Sequence, residues 1–505
     1  MSQRIYLWYT KRHVYTMRHI QACIFKNFKK MKGTTMNQLQ QLADRIISRV
    51  NVNLDEFGFD TEPFVTHALD HEKMLKFYAF YGITSHHPIY FHFKNSNIAG
   101  SYFLGKCYVG RSAIYKSDIR GDELKRKGDK IRSTKEIPLV EDEMITIRDS
   151  LLYKTLVHSN SHNPESPEEF GIRNTISSHY ANIHGSTLEG CFLGPFATVD
   201  LMNLHSCIVG DFSYIQVGEL FHRKIEPGTI WIRNQHFEFK FKYDTTALDY
   251  FVGVNDAFQP RGIMYDFVKN READYERLFE VMNLEPVEAP FTSAVNRYAV
   301  IQGDTHIGEN VLVAQRAFLE NAEMGEGSNA QENTYIINSR LADMCITAHG
   351  GKIIHADVGQ GCFVGFNAFL NGKETARIQL GEGCIIMPHT IMDPEEPIHI
   401  AGDHLIWGLI RTQADVKTHA ISLDDLAEVR DSLTIGKMTF NGKGSVFIET
   451  FKNRLQNILL LNGALYNNGE KRGHAQDDQN ISFNIIQPYR TGELEGLYPS
   501  IRIKP

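Results

Sequence analysis

Apolar residues recur along this chain at a spacing that suits neither an α-helix nor a simple strand. In the second half, Ile301, Ile307, Val313 and Leu319 fall at six-residue steps. Val358, Val364 and Leu370 repeat the step, as do Leu380, Ile386 and Met392. Small and polar residues fill the gaps, as in IGENVL, VGQGCF and LGEGCI. A helix would repeat at about 3.6 residues and a strand at about 2. A step of six fits a triangular solenoid, in which each side sends one aliphatic residue inward and a small residue turns the corner.

The first half carries the same signal less regularly. Leu188, Leu193, Val199, Leu204, Val209 and Ile215 step by five or six. The halves also resemble each other: Ile183-His184 before Gly190-Cys191-Phe192-Leu193-Gly194 recurs as Ile354-His355 before Gly361-Cys362-Phe363-Val364-Gly365. The pattern predicts a mainly β protein with two left-handed parallel β-helix (hexapeptide-repeat) blocks, residues 91–245 and 298–412. Helical spacing marks an N-terminal segment (36–90), a linker (246–297) and a C-terminal segment with a polar tail (413–505) that is free to wrap over a partner. The charged stretch 123–143 reads as a loop leaving the solenoid.

Composition narrows the function classes. A chain of 505 residues with 42 % apolar content has room for two or three domains with real cores. A net charge of −7 gives no reason to expect nucleic acid or an anionic membrane as partner. No run approaches the ~18 apolar residues of a membrane span, and no signal-peptide pattern is present. Seven scattered cysteines without C-x-x-C pairs fit a reducing cytoplasm, with the thiols as buried fillers. Residues 1–35 are basic and contain no Asp or Glu, and they read as an extension ahead of Met36, where an amphipathic helix begins.

The chemistry-bearing residues cluster in the first block. His158 closes the apolar stretch LLYKTLVH, a loop with Glu165, Glu168 and Glu169 follows, and His179 and His184 stand five residues apart in SHYANIHG. Three imidazoles with an open fourth position are a catalytic pattern for zinc and related ions. On a triangular solenoid a five-residue step rounds about one corner, so His179 and His184 face different sides. A shared site in a threefold assembly would take His158 and His184 from one chain and His179 from the next, which predicts a homotrimer.

Residues 97–218 resemble the γ-class carbonic anhydrases of the hexapeptide-repeat superfamily. SHYANIHGSTLEGCFLGPFATV matches that family's signature, with His158, His179 and His184 in the order of its metal ligands. Ile119-Arg120-Gly121-Asp122 matches its I-R-G-D, in which Arg120 and Asp122 would pair at the subunit interface. The resemblance implies CO2 hydration by a metal-bound hydroxide between subunits. It implies zinc, with iron or cobalt as alternatives, and Glu165 or Glu168 as a proton shuttle beside His184. The family's Gln-Asp phrase is replaced by Leu152 and Tyr153, which predicts weak catalysis. In the second block, Ser328 to Asn333, with Gln331, resembles that phrase. Ile337 stands where the first metal His would be, and His349 and His355 are six residues apart. That block therefore reads as a copy without a complete site, with His349, His355 and His389 structural. Two alternatives stay open. One is a hexapeptide-repeat acyltransferase acting on a small molecule, with His184 or His355 as general base. The other is a non-catalytic trimeric scaffold with a vestigial site.

Overall fold

The inward positions of the six-residue pattern build two separate hydrophobic cores. Leu188, Leu193, Val199, Leu204, Val209 and Ile215 are completely buried in one. Val313, Leu319, Val364, Leu370, Ile386 and Met392 are buried in the other. Each such side chain stabilises by about 1.5–3 kcal/mol relative to exposure. Ile301 and Ile307 are only half-buried, because they lie in the first coil of the second block, which has a neighbour on one side only. The structure is a computed structural model that describes residues 32–68, 74, 79–84, 89–132, 136–159, 169–280, 287–486 and 497–504.

Each block is a parallel β-helix with three sheets. In the first, Asn182 pairs with Thr198 and Thr198 with Tyr214, so a coil takes 16 residues. In the second, Leu312, Asn329, Ile346 and Phe363 pair in turn, giving a coil of 17. Both fall short of three sixes: two of the three steps are five residues in the first block and one in the second.

The flanking segments are less purely helical than the sequence suggests. Helix α1 (Lys32–Leu54) begins ahead of Met36, and a second helix covers Glu62–Ala68. Ala79–Ile83, within the segment expected to be helical, is a strand. It pairs in parallel with Ser101–Leu104 and extends the first block, its Ala79 and Phe80 buried by that docking. The excursion at 123–143 contains a small hairpin, Lys130–Arg132 against Glu136–Pro138. The tail covers its own chain: Ser482–Ile486 and Tyr498–Ile503 run antiparallel to Ala79–Ile83 and Phe91–Ser96. Among the described residues no helix is long and apolar enough to cross a membrane.

Two linker helices, α2 (Ile263–Lys269) and α3 (Glu272–Glu280), lie against both blocks. Glu276 pairs with Lys116 of the first block at 2.8 Å, and Glu272 pairs with Lys154 and accepts from Tyr180. Phe267 packs on Tyr335 and Phe369 of the second block, and Tyr275 on Phe318. The blocks also meet directly through a buried ion pair, Arg316 to Asp118 at 2.9 Å. Helix α4 (Gly444–Asn462) and the short α5 (His474–Asp477) come from the C-terminal segment.

Candidate metal centre

The site forms where a row of side chains on the first block meets a corner of the second. Arg120, His158, His184 and Asp200 each end a short strand, and the ladder pairs Arg120 with His158, His158 with His184, and His184 with Asp200. In Asn182-Ile183-His184 the middle residue is fully buried in the core, so strand alternation turns His184 outward. Parallel pairing stacks the four side chains at about 4.8 Å intervals.

The second block answers with Gln315, Glu332, His349 and Phe366, one per coil and 17 residues apart. Each precedes a residue in the left-handed conformation: Arg316 (φ 56°), Asn333 (58°), Gly350 (72°) and Asn367 (49°). This turn ends one side of the triangle and starts the next, and the residue before it projects from the corner. At Gly350 a Cβ would lie 2.3 Å from Asn367 Oδ1, so a side chain there would displace Asn367.

Row and corner together bring His158, His184 and His349 into one cluster, with a ring nitrogen of each within 4.8 Å of the others. His158 Nδ1 is 3.2 Å from His349 Nε2. The outer nitrogens face carboxylates. His184 Nδ1 is 2.8 Å from Asp200 Oδ1, and His349 Nδ1 is 2.7 Å from Glu332 Oε2. Arg120 ties the wall together, binding Asp122, Glu332 and, at 3.1 Å, Gln315 Oε1. Asp200 also accepts from Tyr214 and from Arg454 of α4. On the outer side His474 of α5 lies 3.9 Å from Asp122 and 4.0 Å from Glu123.

Burial favours the neutral form of His158 and His349. It pushes His158 down to about 3, against the pull of Glu123 and Asp122, and His184 and His349 add to the depression. Burial likewise holds His349 well below its usual value, with His184 and Arg120 contributing. Burial alone would raise Glu123, yet His158 and His474 bring it to about 2. His474 rises to about 9: burial opposes this, and Asp478, Asp122 and Glu123 overcome it.

The residues fit a divalent cation. Three imidazoles are a suitable donor set for zinc, iron or cobalt. His158 Nε2, on the Asp122 and Glu123 side of the ring, and His349 Nδ1 are both buried with no hydrogen-bond partner among the described residues. Asp122, Glu123, Glu332 and Asp200 give four carboxylates against Arg120, Arg454 and a charged His474, an excess of negative charge that a cation would offset.

The structure brings together only part of the set read from the sequence. His158 and His184 are joined, and the Arg120–Asp122 pair forms within one chain. His179 is turned to another side, 4.2 Å from the Tyr153 ring and beneath Tyr265 of α2. His349, read as structural, stands in the cluster in its place. His355 lies on a different corner near Asn338 and His389 contacts Thr198, so neither joins. Gln331 is half-buried next to Glu332, which is the member of its phrase that reaches the site. Glu165 and Glu168 lie outside the described residues, as do residues 1–31, which make up most of the basic extension. Sequence reasoning missed Glu123, Asp200 and Glu332. Glu123 directly follows Arg120-Gly121-Asp122, Asp200 lies one 16-residue coil beyond His184, and Glu332 one 17-residue coil before His349.

A family model for the hexapeptide repeat including loop matches residues 135–256. The crystal structure of a candidate acetyltransferase from Desulfovibrio desulfuricans G20 is 53 % identical in sequence, covering 93 % of this chain and 99 % of that one, with a TM-score of 0.85. The chain belongs to the hexapeptide-repeat family. No curated protein matches it. The identity extends over nearly the whole hexapeptide-repeat chain, so the linker and C-terminal segments belong to the shared architecture as much as the coils do.

Proposed function

We propose that the chain is a metal-dependent enzyme that adds water to a small electrophile of the size of CO2, with the ion held by His158, His184 and His349. The observation that carries this reading is the convergence of three imidazoles between the blocks of one chain, with Asp200 2.8 Å behind His184 and Glu332 2.7 Å behind His349. A divalent ion there supplies Lewis acidity. The protein's own part is to fix the donors. Asp200 orients His184 through its outer nitrogen, and Glu332 stands 2.7 Å from the outer nitrogen of His349. The Glu123 carboxylate, 3.8 Å from His158 and 4.0 Å from His474, stands between the cluster and α5 and helps hold His474 charged. The histidine side chains are at most 12 % exposed, which favours a small substrate. One ion per chain follows, since all three donors come from a single chain. A homotrimer is then not needed to supply His179, and α2 covers that corner.

The Desulfovibrio relative supports a second reading, acyl transfer, and supports it more directly than it supports CO2 hydration. His184, polarised by Asp200, would be the general base for attack on a thioester. A groove of about 530 Å³ in the second block reaches Arg120 but is lined by none of the three histidines, so the carrier arm would need another approach. Elemental analysis separates the readings, followed by stopped-flow CO2 hydration and acetyl-coenzyme A turnover with wild type and His184→Ala. About one ion per chain and hydration lost in the variant support the first. Metal-free protein with His184-dependent thioester turnover overturns it in favour of the second.

A further inference from the structure

The C-terminal helix reaches back to the cluster through one side chain. Arg454, on the third turn of α4, donates from Nη2 to Asp200 Oδ2 at 2.9 Å. Asp200 is completely buried, and its other oxygen faces His184 Nδ1 at 2.8 Å. Tyr214 donates to the same Oδ2 as Arg454. The carboxylate is thus shared between a fixed guanidinium and phenol on one side and the imidazole on the other. A carboxylate held this way accepts the Nδ1 proton of His184 and leaves Nε2 as the lone-pair donor aimed at the cluster.

We propose that Arg454 is a positioning residue for the metal centre: it fixes Asp200, and through Asp200 the tautomer and ring orientation of His184. This rests on the metal reading above. The assignment gives the C-terminal segment a role that its sequence does not announce, since Arg454 lies 254 residues from Asp200. Helix α4 is seated independently, with Phe447 and Phe451 buried against Phe237, Phe440 and Phe363. Loss of one guanidinium therefore leaves the helix anchored. Asp200 would then keep only Tyr214 and His184, and its carboxylate could turn away from the ring.

The test compares wild type, Arg454→Met and Arg454→Lys by chelator-competition titration with Co2+ alone, reading affinity and the visible absorption of the bound ion. Selectively labelled histidine NMR of the metal-free proteins reports the His184 tautomer. Arg454→Met should bind Co2+ about 10- to 100-fold more weakly, as expected for losing an outer-shell partner, with an altered spectrum and a mixed His184 tautomer. Arg454→Lys should restore most of the affinity. Equal affinity, spectrum and tautomer in wild type and Arg454→Met would overturn the assignment while leaving the metal reading intact. A wild type that takes up no Co2+ would remove the metal reading itself, and this assignment with it.

Discussion

Replacing Arg316 by Met tests whether the two blocks are held as one unit. Arg316 belongs to the second block and is 11 % exposed; its partner Asp118, in the first block, is 2 % exposed. The guanidinium also donates to the Gly100 carbonyl at 3.0 Å. Removing one partner of a buried pair typically costs about 3–5 kcal/mol, because the other charge is left without compensation. In this protein the cost has a ceiling. Asp118 retains Asn333 Nδ2 at 3.2 Å, and burial already raises its carboxyl. Protonating a carboxyl of ordinary pKa at pH 7 costs about 4 kcal/mol, so the variant should lose no more than that. The double variant Arg316→Met with Asp118→Asn removes both charges of the pair and should lie within about 2 kcal/mol of wild type. Urea unfolding of the metal-free proteins at pH 7, followed by fluorescence and circular dichroism together, measures both. A single-variant loss below about 1 kcal/mol, or a double variant no better than the single, would refute the reasoning.

Lys352 is 2 % exposed, and burial pushes its amine down to about 7. A base depressed in the folded state destabilises below its unfolded pKa, here by about 4 kcal/mol at pH 7; less the Nζ hydrogen bond to the Gly350 carbonyl, Lys352→Met should gain about 1–3 kcal/mol, and the gain should vanish as pH rises past 10. His389, fully buried and depressed to about 3 mainly by burial, works the same way: its contribution is complete above pH 6.5 and is lost as pH falls toward 3. At pH 5 that loss is about 2 kcal/mol, and His389→Gln should flatten the acid limb of a stability profile. Light scattering with metal analysis should find one ion per chain even where the protein is monomeric; metal bound only by trimers would contradict a centre complete in one chain.

The coils were legible because each inward residue leaves a mark at a fixed step, as Val313, Val364 and Ile386 do. Half of the site was legible through the family resemblance, which named Arg120, His158 and His184; the structure shows that they occupy equivalent strand ends and share one row. The third donor was not. His349 lies 191 residues from His158, and nothing periodic encodes which corner of the second block faces which side of the first. Matching that block against a whole metal signature drew attention to Ile337, although the centre needs only one histidine and one carboxylate from it. The roles of α2, α3 and α4 were equally hidden, since Glu272, Tyr265 and Arg454 act through docking rather than spacing. Ala79–Ile83 was lost in a helical segment because its partners, Ser101–Leu104 and Ser482–Ile486, are distant in sequence.

The most direct test of the account is the metal content of three single variants purified alike, His158→Ala, His179→Ala and His349→Ala, measured beside wild type by elemental analysis. If the centre lies between the blocks of one chain, His158→Ala and His349→Ala lose the ion while His179→Ala keeps it at the wild-type ratio. If instead His179→Ala is the variant that empties and His349→Ala stays loaded, the third donor comes from a neighbouring chain, and the centre described here does not exist.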